Sequence, residues 1–452
     1  MQFEDTIAAI ATAAGQGGIA ILRISGPNAE KILRGIFRPA KGEKETFPSH
    51  LMVYGHVVKG EEAIDEAMAV LMRAPRSYTR EDVAEIHIHG GRLMAAQALE
   101  LALASGARQA EPGEFTRRAF LNGRVDLSQA EAVMSLISAG GQQAAKAAMR
   151  QLDGGPSQFI RKALDKLYDL MAGLEVAIDY PEEVEEEEAT RGLREGITAL
   201  AKELEEACDQ RGVKMLAQGM DVVLCGRPNV GKSSLLNALL GEDRAIVTDV
   251  PGTTRDTLTG EIELNGMPVH LTDTAGLRDT QDQVEKIGVS RAQKAMAQAD
   301  LVLLVLDAGQ PLSREDEELL LNPPKGDFAV VLNKSDLAPR VTAQDISSLC
   351  PSVTVLNLSA RTGEGMETLK NYLKNMAGDP SRLVLTTQRH ISAARRGADS
   401  LRQAAKSLAS GVPLDLAAVD MRDALYALGE ITGDQVEERI LDQVFSIFCV
   451  GK

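Results

Sequence analysis

Four short runs between residues 222 and 332 are apolar almost without interruption: Val222–Cys225, Val269–Thr272, Leu301–Leu306 and Ala329–Leu332. A strand with one wet face alternates polar and apolar residues, so a run that does not alternate has to be covered on both sides. Helical stretches separate the runs. The segment from Asp221 to about residue 375 is therefore expected to be a mostly parallel sheet flanked by helices. Directly after the first run comes Gly226-Arg227-Pro228-Asn229-Val230-Gly231-Lys232-Ser233, then Ser234 and the helical spacing Leu235, Leu236, Leu239, Leu240. GxxxxGK[ST] between a strand and a helix is a phosphate-cradling loop: its backbone N–H groups and the helix N-terminus face the phosphates. Lys232 is expected to reach the β- and γ-phosphates and Ser233 to ligate Mg²⁺.

Three further pieces follow in order. Asp273-Thr274-Ala275-Gly276 closes the second run, with Asp273 placed to hold Mg²⁺ through water and the Gly276 N–H to sense a γ-phosphate. Asn333-Lys334-Ser335-Asp336 closes the fourth. The Asp336 carboxylate can accept both N1–H and the exocyclic amine of guanine, whereas adenine would leave it unpaired, and unpaired buried groups discriminate strongly. Ser359-Ala360-Arg361, after an expected strand at Val353–Leu358, supplies the last loop around the base. These are the parts of a GTP site. Between them lies Thr248-Asp249-Val250-Pro251-Gly252-Thr253-Thr254, suited to a loop ordered by γ-phosphate and metal. Either Thr253 or Thr254 can offer a hydroxyl to the metal. Leu277 stands where a Ras-like GTPase uses Gln to orient water, so water must be oriented from elsewhere. Arg278, Asp279, Asp282 and Glu285 are the nearby candidates.

The rest of the 452 residues carries other patterns, and at about 150 residues per domain roughly three domains are expected. Residues 1–118 read as a mixed α/β domain, with strands at Gly18–Ser25, Leu51–Val58, Glu66–Met72 and Val83–His89 and a helix at Arg92–Ala104. Ser128-Gln129-Ala130-Glu131 reads as a capping box opening a long Ala-rich helix. Ile160 to Ile178 and Leu193 to Leu204 carry helical stripes, and helices resume from about residue 388. An α/β domain at 216–378 is thus expected as an insertion into a helical one formed by 119–215 and 379–452. Lys+Arg 49 against Asp+Glu 65 gives −16, which excludes a general electrostatic grip on nucleic acid. Cys208, Cys225, Cys350 and Cys449 form no CxxC pair, and no leader or membrane run is visible, so a soluble cytoplasmic protein is expected.

Two further features invite ligands. Arg23 lies in an apolar strand and must be paired or face an anion, and Glu85, His87 and His89 alternate onto one strand face. Cys449, near the terminus, has no evident base beside it and is not read as catalytic.

GRPNVGKSS, TDVPGTTRD, DTAGLRD and NKSD, with IAILRISG, HIHGG, PGEFTRRAFLNGRVDLSQAEA, ARTGEG and a terminal FCVGK, resemble the tRNA modification GTPase MnmE (TrmE) family along the whole chain. The resemblance implies an N-terminal folate-binding and dimerising domain, a discontinuous helical domain and an inserted G domain. It implies potassium-stimulated GTP hydrolysis in a homodimer working with the flavoprotein MnmG (GidA), in a heterotetramer or larger complex. Together they would place an aminomethyl or carboxymethylaminomethyl group at C5 of the wobble uridine of certain tRNAs, from a tetrahydrofolate one-carbon unit, with tRNA bound mainly through the complex. It assigns K⁺ to Asn229, Thr248, Val250 and Thr253, Mg²⁺ to Ser233 and Thr254, and the attacking water to Glu285. Folate contacts are assigned to Arg23, Glu85, Arg124 and Lys452, although the family can carry Lys where this chain has Arg124. A nucleotide switch acting in ribosome assembly, and a folate-binding module with a regulatory G domain, are the competing readings. The acidic balance and the FCVGK tail speak against the switch.

Overall fold

The computed structural model describes residues 4–13, 15, 17–40, 47–180, 186–242, 258–273, 293–377, 383–410 and 412–452. The chain forms two compact units. One comprises Met1–Met134, Arg150–Glu205 and Ala393–Lys452; the other comprises Ser135–Met149 and Glu206–Ser392.

The first unit holds a seven-stranded mixed sheet in the order β3-β4-β5-β6-β2-β1-β7. Its strands are β1 (Ile7–Ile10), β2 (Ile19–Ser25), β3 (Phe37–Pro39), β4 (Met52–Lys59), β5 (Glu62–Met72), β6 (Val83–His89) and β7 (Arg108–Gln109). Sequence alternation located β2, β4, β5 and β6. The four-residue β1 and the shorter β3 and β7 are too brief to show a period, and pairing alone makes them strands. The helices Ala29–Ile36 and Arg92–Ala104 cover one sheet face through Ile32, Leu33, Ile36, Ala98 and Ala102, packed on Leu22, Ile24, Leu71 and Ile86. The other face carries Arg23, Glu85 and His87.

Helices Glu114–Leu121, Leu127–Ile137, Gly155–Asp179, Glu186–Glu206, Leu414–Thr432 and Glu438–Ser446 supply the helical part from separated stretches of chain. One capping expectation needs correction. Ser128 is not the N-cap but lies inside the helix, buried. The reciprocal bonds instead join Asp126 and Gln129: the Gln129 N–H donates to Asp126 Oδ1 at 2.9 Å and the Asp126 N–H to Gln129 Oε1 at 3.0 Å. Asp is as good a cap as Ser, and the earlier start frees Ser128 to pack. The helix also ends at Ile137, and a separate one, Gln142–Leu152, follows.

Leu127 and Ala130 pack against Leu441, Val444, Phe445 and Phe448. This brings the C-terminal residues onto the N-terminal domain, where Val450 forms a bridge with Pro112. Gly451 has φ +97° and presses on the end of β1; a Cβ there would strike the Ile10 carbonyl and lie 2.9 Å from Ala11 Cα. Only glycine fits.

The second unit contains a six-stranded sheet ordered β13-β12-β11-β8-β10-β9. Its strands are β8 (Met220–Cys225), β9 (Leu258–Leu264), β10 (Met267–Asp273), β11 (Leu301–Asp307), β12 (Asp327–Asn333) and β13 (Thr354–Asn357). All pairings are parallel except β9 with β10, joined through Asn265-Gly266. Two clusters of buried side chains cover the two faces, as the unbroken apolar runs required. The edge strand β9 was not expected. Its sequence, Leu-Thr-Gly-Glu-Ile-Glu-Leu, alternates in the manner of a strand with one wet face, and that was its signal.

Candidate functional site

The C-terminal ends of β8, β10, β11 and β12 gather the nucleotide motifs on one edge of the sheet. This is where parallel α/β sheets bind ligands. The chain leaves β8 at Gly226, whose φ of +132° and contact with the Val305 carbonyl leave no room for a side chain. Asn229 holds the left-handed region at φ 65°, turning the loop before helix Lys232–Glu242 begins. Lys232 is buried, and its Nζ donates to the carbonyls of Gly226 and Arg227, each at 2.8 Å. Those carbonyls hold the ammonium against the inner side of the loop, the position from which it can meet a phosphate. Ser233 Oγ donates to Asp273 Oδ2 at 2.8 Å, and Asp273 is fully buried. A hydroxyl and a carboxylate side by side are hard oxygen donors of the kind Mg²⁺ takes.

Asn333 clips three loops together. Its Nδ2 donates to the Val230 carbonyl at 2.9 Å, and its Oδ1 accepts the Ala360 N–H at 3.0 Å. Asp336 lies at the mouth, where the Ser359 hydroxyl donates to its Oδ1 at 2.6 Å. That bond, with the positive charge of Arg361 and Lys334 adding to it, holds the Asp336 carboxyl below the usual carboxylate range. It therefore meets a base as an anion, an acceptor only. Ser335 is fixed by its N–H on the Leu358 carbonyl at 3.1 Å. Thr248, Asp249, Val250, Pro251, Gly252, Thr253, Thr254, Thr274, Ala275, Gly276 and Glu285 lie outside the described residues.

Two groups at this edge escaped the sequence reading. Arg227 pairs with the buried Asp316 at 2.8 Å, fastening the phosphate loop to helix Arg314–Leu321. Asp307, the last residue of β11, accepts from Lys334 Nζ at 2.7 Å, and the same ammonium donates to the Asn229 carbonyl at 2.9 Å. An acidic residue ending an otherwise apolar strand was the available signal.

A second cluster sits on the face of the N-terminal sheet opposite helices Ala29–Ile36 and Arg92–Ala104, partly covered by Tyr78 and Phe115. Register places Arg23 of β2 opposite Glu85 of β6, and Arg23 Nε donates to Glu85 Oε1 at 2.8 Å. His87 Nε2 lies 3.4 Å from the other Glu85 oxygen. Hydrogen bonding from His87, together with the Arg23 charge, holds the Glu85 carboxyl below its ordinary range against the cost of burial. Arg23 Nη1 also donates to the Gly451 carbonyl at 3.2 Å. The Arg23 and Arg124 guanidinium carbons stand 5.3 Å and 4.7 Å from the Tyr78 ring centroid, and Arg23 is 5.7 Å from that of Phe115. Arg23, Glu85 and Arg124 thus come together around Tyr78, with the Gly451 carbonyl beside Lys452 joining them. Tyr78 and Phe115 were missed because an aromatic residue in a loop or helix has no pattern of its own.

His89 departs from the convergence expected of it. Its Nδ1 turns to Asp65 at 2.7 Å instead of toward Glu85, because β6 ends there and β5 offers the nearer carboxylate. Cys449 is exposed and lines a cavity of about 900 Å³ with Gly17, Ile19, Gly90, Arg92 and Val450. No helix of the described residues is long and apolar enough to cross a membrane.

Two family models match the chain: one described as the MnmE helical domain, over residues 127–449, and one described as the GTP-binding protein TrmE N-terminus, over residues 6–124. Among curated relatives, the tRNA modification GTPase MnmE of Lactiplantibacillus plantarum is 46% identical, covering 99% of this chain and 98% of its own length. That of Symbiobacterium thermophilum is 48% identical over 99% and 100%, and that of Clostridioides difficile 44% over the whole of both.

Proposed function

The chain belongs to the tRNA modification GTPase MnmE family, GTP hydrolases acting in tRNA modification, and from that premise we propose that its GTP hydrolysis is stimulated by K⁺ and serves one-carbon chemistry at the wobble uridine. The observation that carries the nucleotide part is the Asp336 carboxylate, kept ionised by Ser359 beside a phosphate loop whose lysine is already turned inward. An acceptor-only group there matches the two N–H donors on the edge of guanine and mismatches adenine.

In the proposed reaction Lys232 leaves the Gly226 and Arg227 carbonyls for the β- and γ-phosphates, and Asn333 keeps the phosphate and base loops at fixed spacing. Ser233 and Thr254 would hold Mg²⁺, with Asp273 reaching it through water. Asn229, Thr248, Val250 and Thr253 would hold K⁺. When bound, these cations offset the negative charge that grows on the phosphoryl oxygens, the task an arginine finger performs elsewhere. Glu285 would orient the attacking water in place of the glutamine that Leu277 replaces.

The Arg23–Glu85 pair and Arg124, around Tyr78 and beside the tail ending in Lys452, support a site for a tetrahydrofolate derivative. Guanidinium groups suit its carboxylates, and a ring flanked by cations suits a flat heterocycle. We further propose a homodimer joined by its N-terminal domain (residues 1–118), acting with the flavoprotein MnmG on tRNA. The helical domain would comprise 119–215 and 379–452 around a G domain at 216–378.

The test is GTP turnover by the full-length chain in KCl and in NaCl. Far faster turnover in KCl supports the cation reading, and equal rates would remove it. Mass spectrometry of the wobble uridine in tRNA from cells lacking the protein, with and without its return, tests the tRNA reading; unchanged modification would sink it.

A further inference from the structure

The geometry points to Asp307 as a positioning residue for the guanine nucleotide, an inference that rests on the nucleotide reading above and deepens it. Asp307 closes a strand whose other six residues, Leu301 to Leu306, are all apolar and buried. The carboxylate itself is buried, and a charge there is costly unless it is paired and hydrogen-bonded. Both oxygens are used. Oδ1 accepts the Gly309 N–H at 2.9 Å, and Oδ2 accepts Lys334 Nζ at 2.7 Å.

The ammonium does not stop there. It donates also to the carbonyl of Asn229, at 2.9 Å, so a carboxylate, an ammonium and a carbonyl form one chain from β11 through the base-reading loop to the phosphate loop. Two of its three members have unusual backbone: Lys334, the middle link, at φ 63° and Asn229, at the phosphate-loop end, at φ 65°. Left-handed conformations persist only where surroundings over-determine them. Parallel pairing sets Asp307 beside Asn333, the residue before Lys334, which fixes the reach of the bond.

A lysine side chain has many rotamers and is strongly hydrated, so without a partner it would sample solvent. Asp307 confines Lys334 to the one arrangement in which its stem crosses the base-reading loop and its head holds the phosphate loop. Base and phosphates are then read by loops whose spacing is set before the ligand arrives, which cuts the ordering cost of binding. With both oxygens engaged by Gly309 and Lys334, Asp307 acts through Lys334.

The experiment uses the full-length chain and a fluorescent GDP analogue, with Asp307→Asn, Lys334→Ala and the double variant. Asn is isosteric and keeps an acceptor for Gly309, but its amide faces the ammonium with a donor or a weaker acceptor. Asp307→Asn is expected to bind roughly ten- to hundredfold more weakly, mainly through faster release, the range a lost charged hydrogen bond gives. The double variant is expected to match Lys334→Ala within about twofold, because both substitutions break the same chain. Melting temperatures are measured in parallel, and a general loss of folding would add its effect to Lys334→Ala instead. Wild-type-like affinity in Asp307→Asn, or a full additive loss in the double variant, overturns the inference. Failure of the unsubstituted chain to prefer guanine over adenine nucleotides overturns the nucleotide reading, and the inference with it.

Discussion

Removing the Asn333 side chain is the most direct test of how the nucleotide loops are held. The residue is 2% exposed, and its amide satisfies the Val230 carbonyl and the Ala360 N–H at once. Asn333→Ala leaves both without that partner. An orphaned buried polar group costs about 1–3 kcal/mol. Val230 is itself buried, while Ala360 is only half-buried, so the larger share falls on the phosphate loop. The sum is about 2–4 kcal/mol, which for a domain of this size lowers its melting transition by roughly 4–16 °C. Asn333→Asp separates the two bonds. It keeps the acceptor for Ala360 but sets a carboxylate oxygen against the Val230 carbonyl, so the phosphate loop should suffer at least as much as in the alanine variant. Amide hydrogen exchange read by mass spectrometry distinguishes them: faster exchange at residues 229–233 in both variants, and at residue 360 chiefly in Asn333→Ala. GDP affinity should fall in both. Unchanged melting and exchange in Asn333→Ala would refute the claim that this amide ties the loops.

Asp336→Asn should lose guanine nucleotides by at least roughly a hundredfold, since two hydrogen bonds to a charged acceptor disappear. Xanthine, which carries a carbonyl where guanine carries an amine, should bind better, and competition against a labelled GDP reads both; retained guanine preference would contradict the base reading. Gly451→Ala should detach the tail from the end of β1 and weaken binding of a reduced folate at least roughly tenfold while leaving GDP affinity intact. A folate affinity equal to that of the unsubstituted chain would remove the tail from the site. Asp65 raises the His89 pKa above its ordinary 6.5, so the stabilisation of that pair is fully present below the unfolded value and is lost as pH rises through the folded one. The melting temperature of His89→Ala should therefore fall short of wild type at pH 5.5 and approach it at pH 9; a gap that stays constant with pH would count against the ion pair.

The nucleotide edge was legible because its constraints are local. A turn tight enough to wrap phosphates requires Gly226, and the next residues must start a helix, so loop, strand and helix announce one another within a dozen positions. The same holds for unbroken apolar runs, which at four to six residues between turn signals suit inner strands. What was not legible depends on contacts between residues far apart in the chain. Asp307 meets Lys334 only because β11 and β12 pair in register, and Arg23 meets Glu85 only because β2 lies beside β6. Ser128 looked like a cap because the pattern was right, yet Asp126 two residues earlier offered the same chemistry and let Ser128 pack.

From the order of residues alone came a parallel sheet with a guanine-reading edge, an α/β domain before it and helices on either side. Periodicity and turn chemistry act over a few residues, and that is what a sequence records. Tertiary structure alone decided that Gly451 lies against the end of the first strand, that Tyr78 stands beside two arginines, and that one buried carboxylate joins the base loop to the phosphate loop. Each of these is set by which surfaces bury each other, and burial is a property of the whole fold.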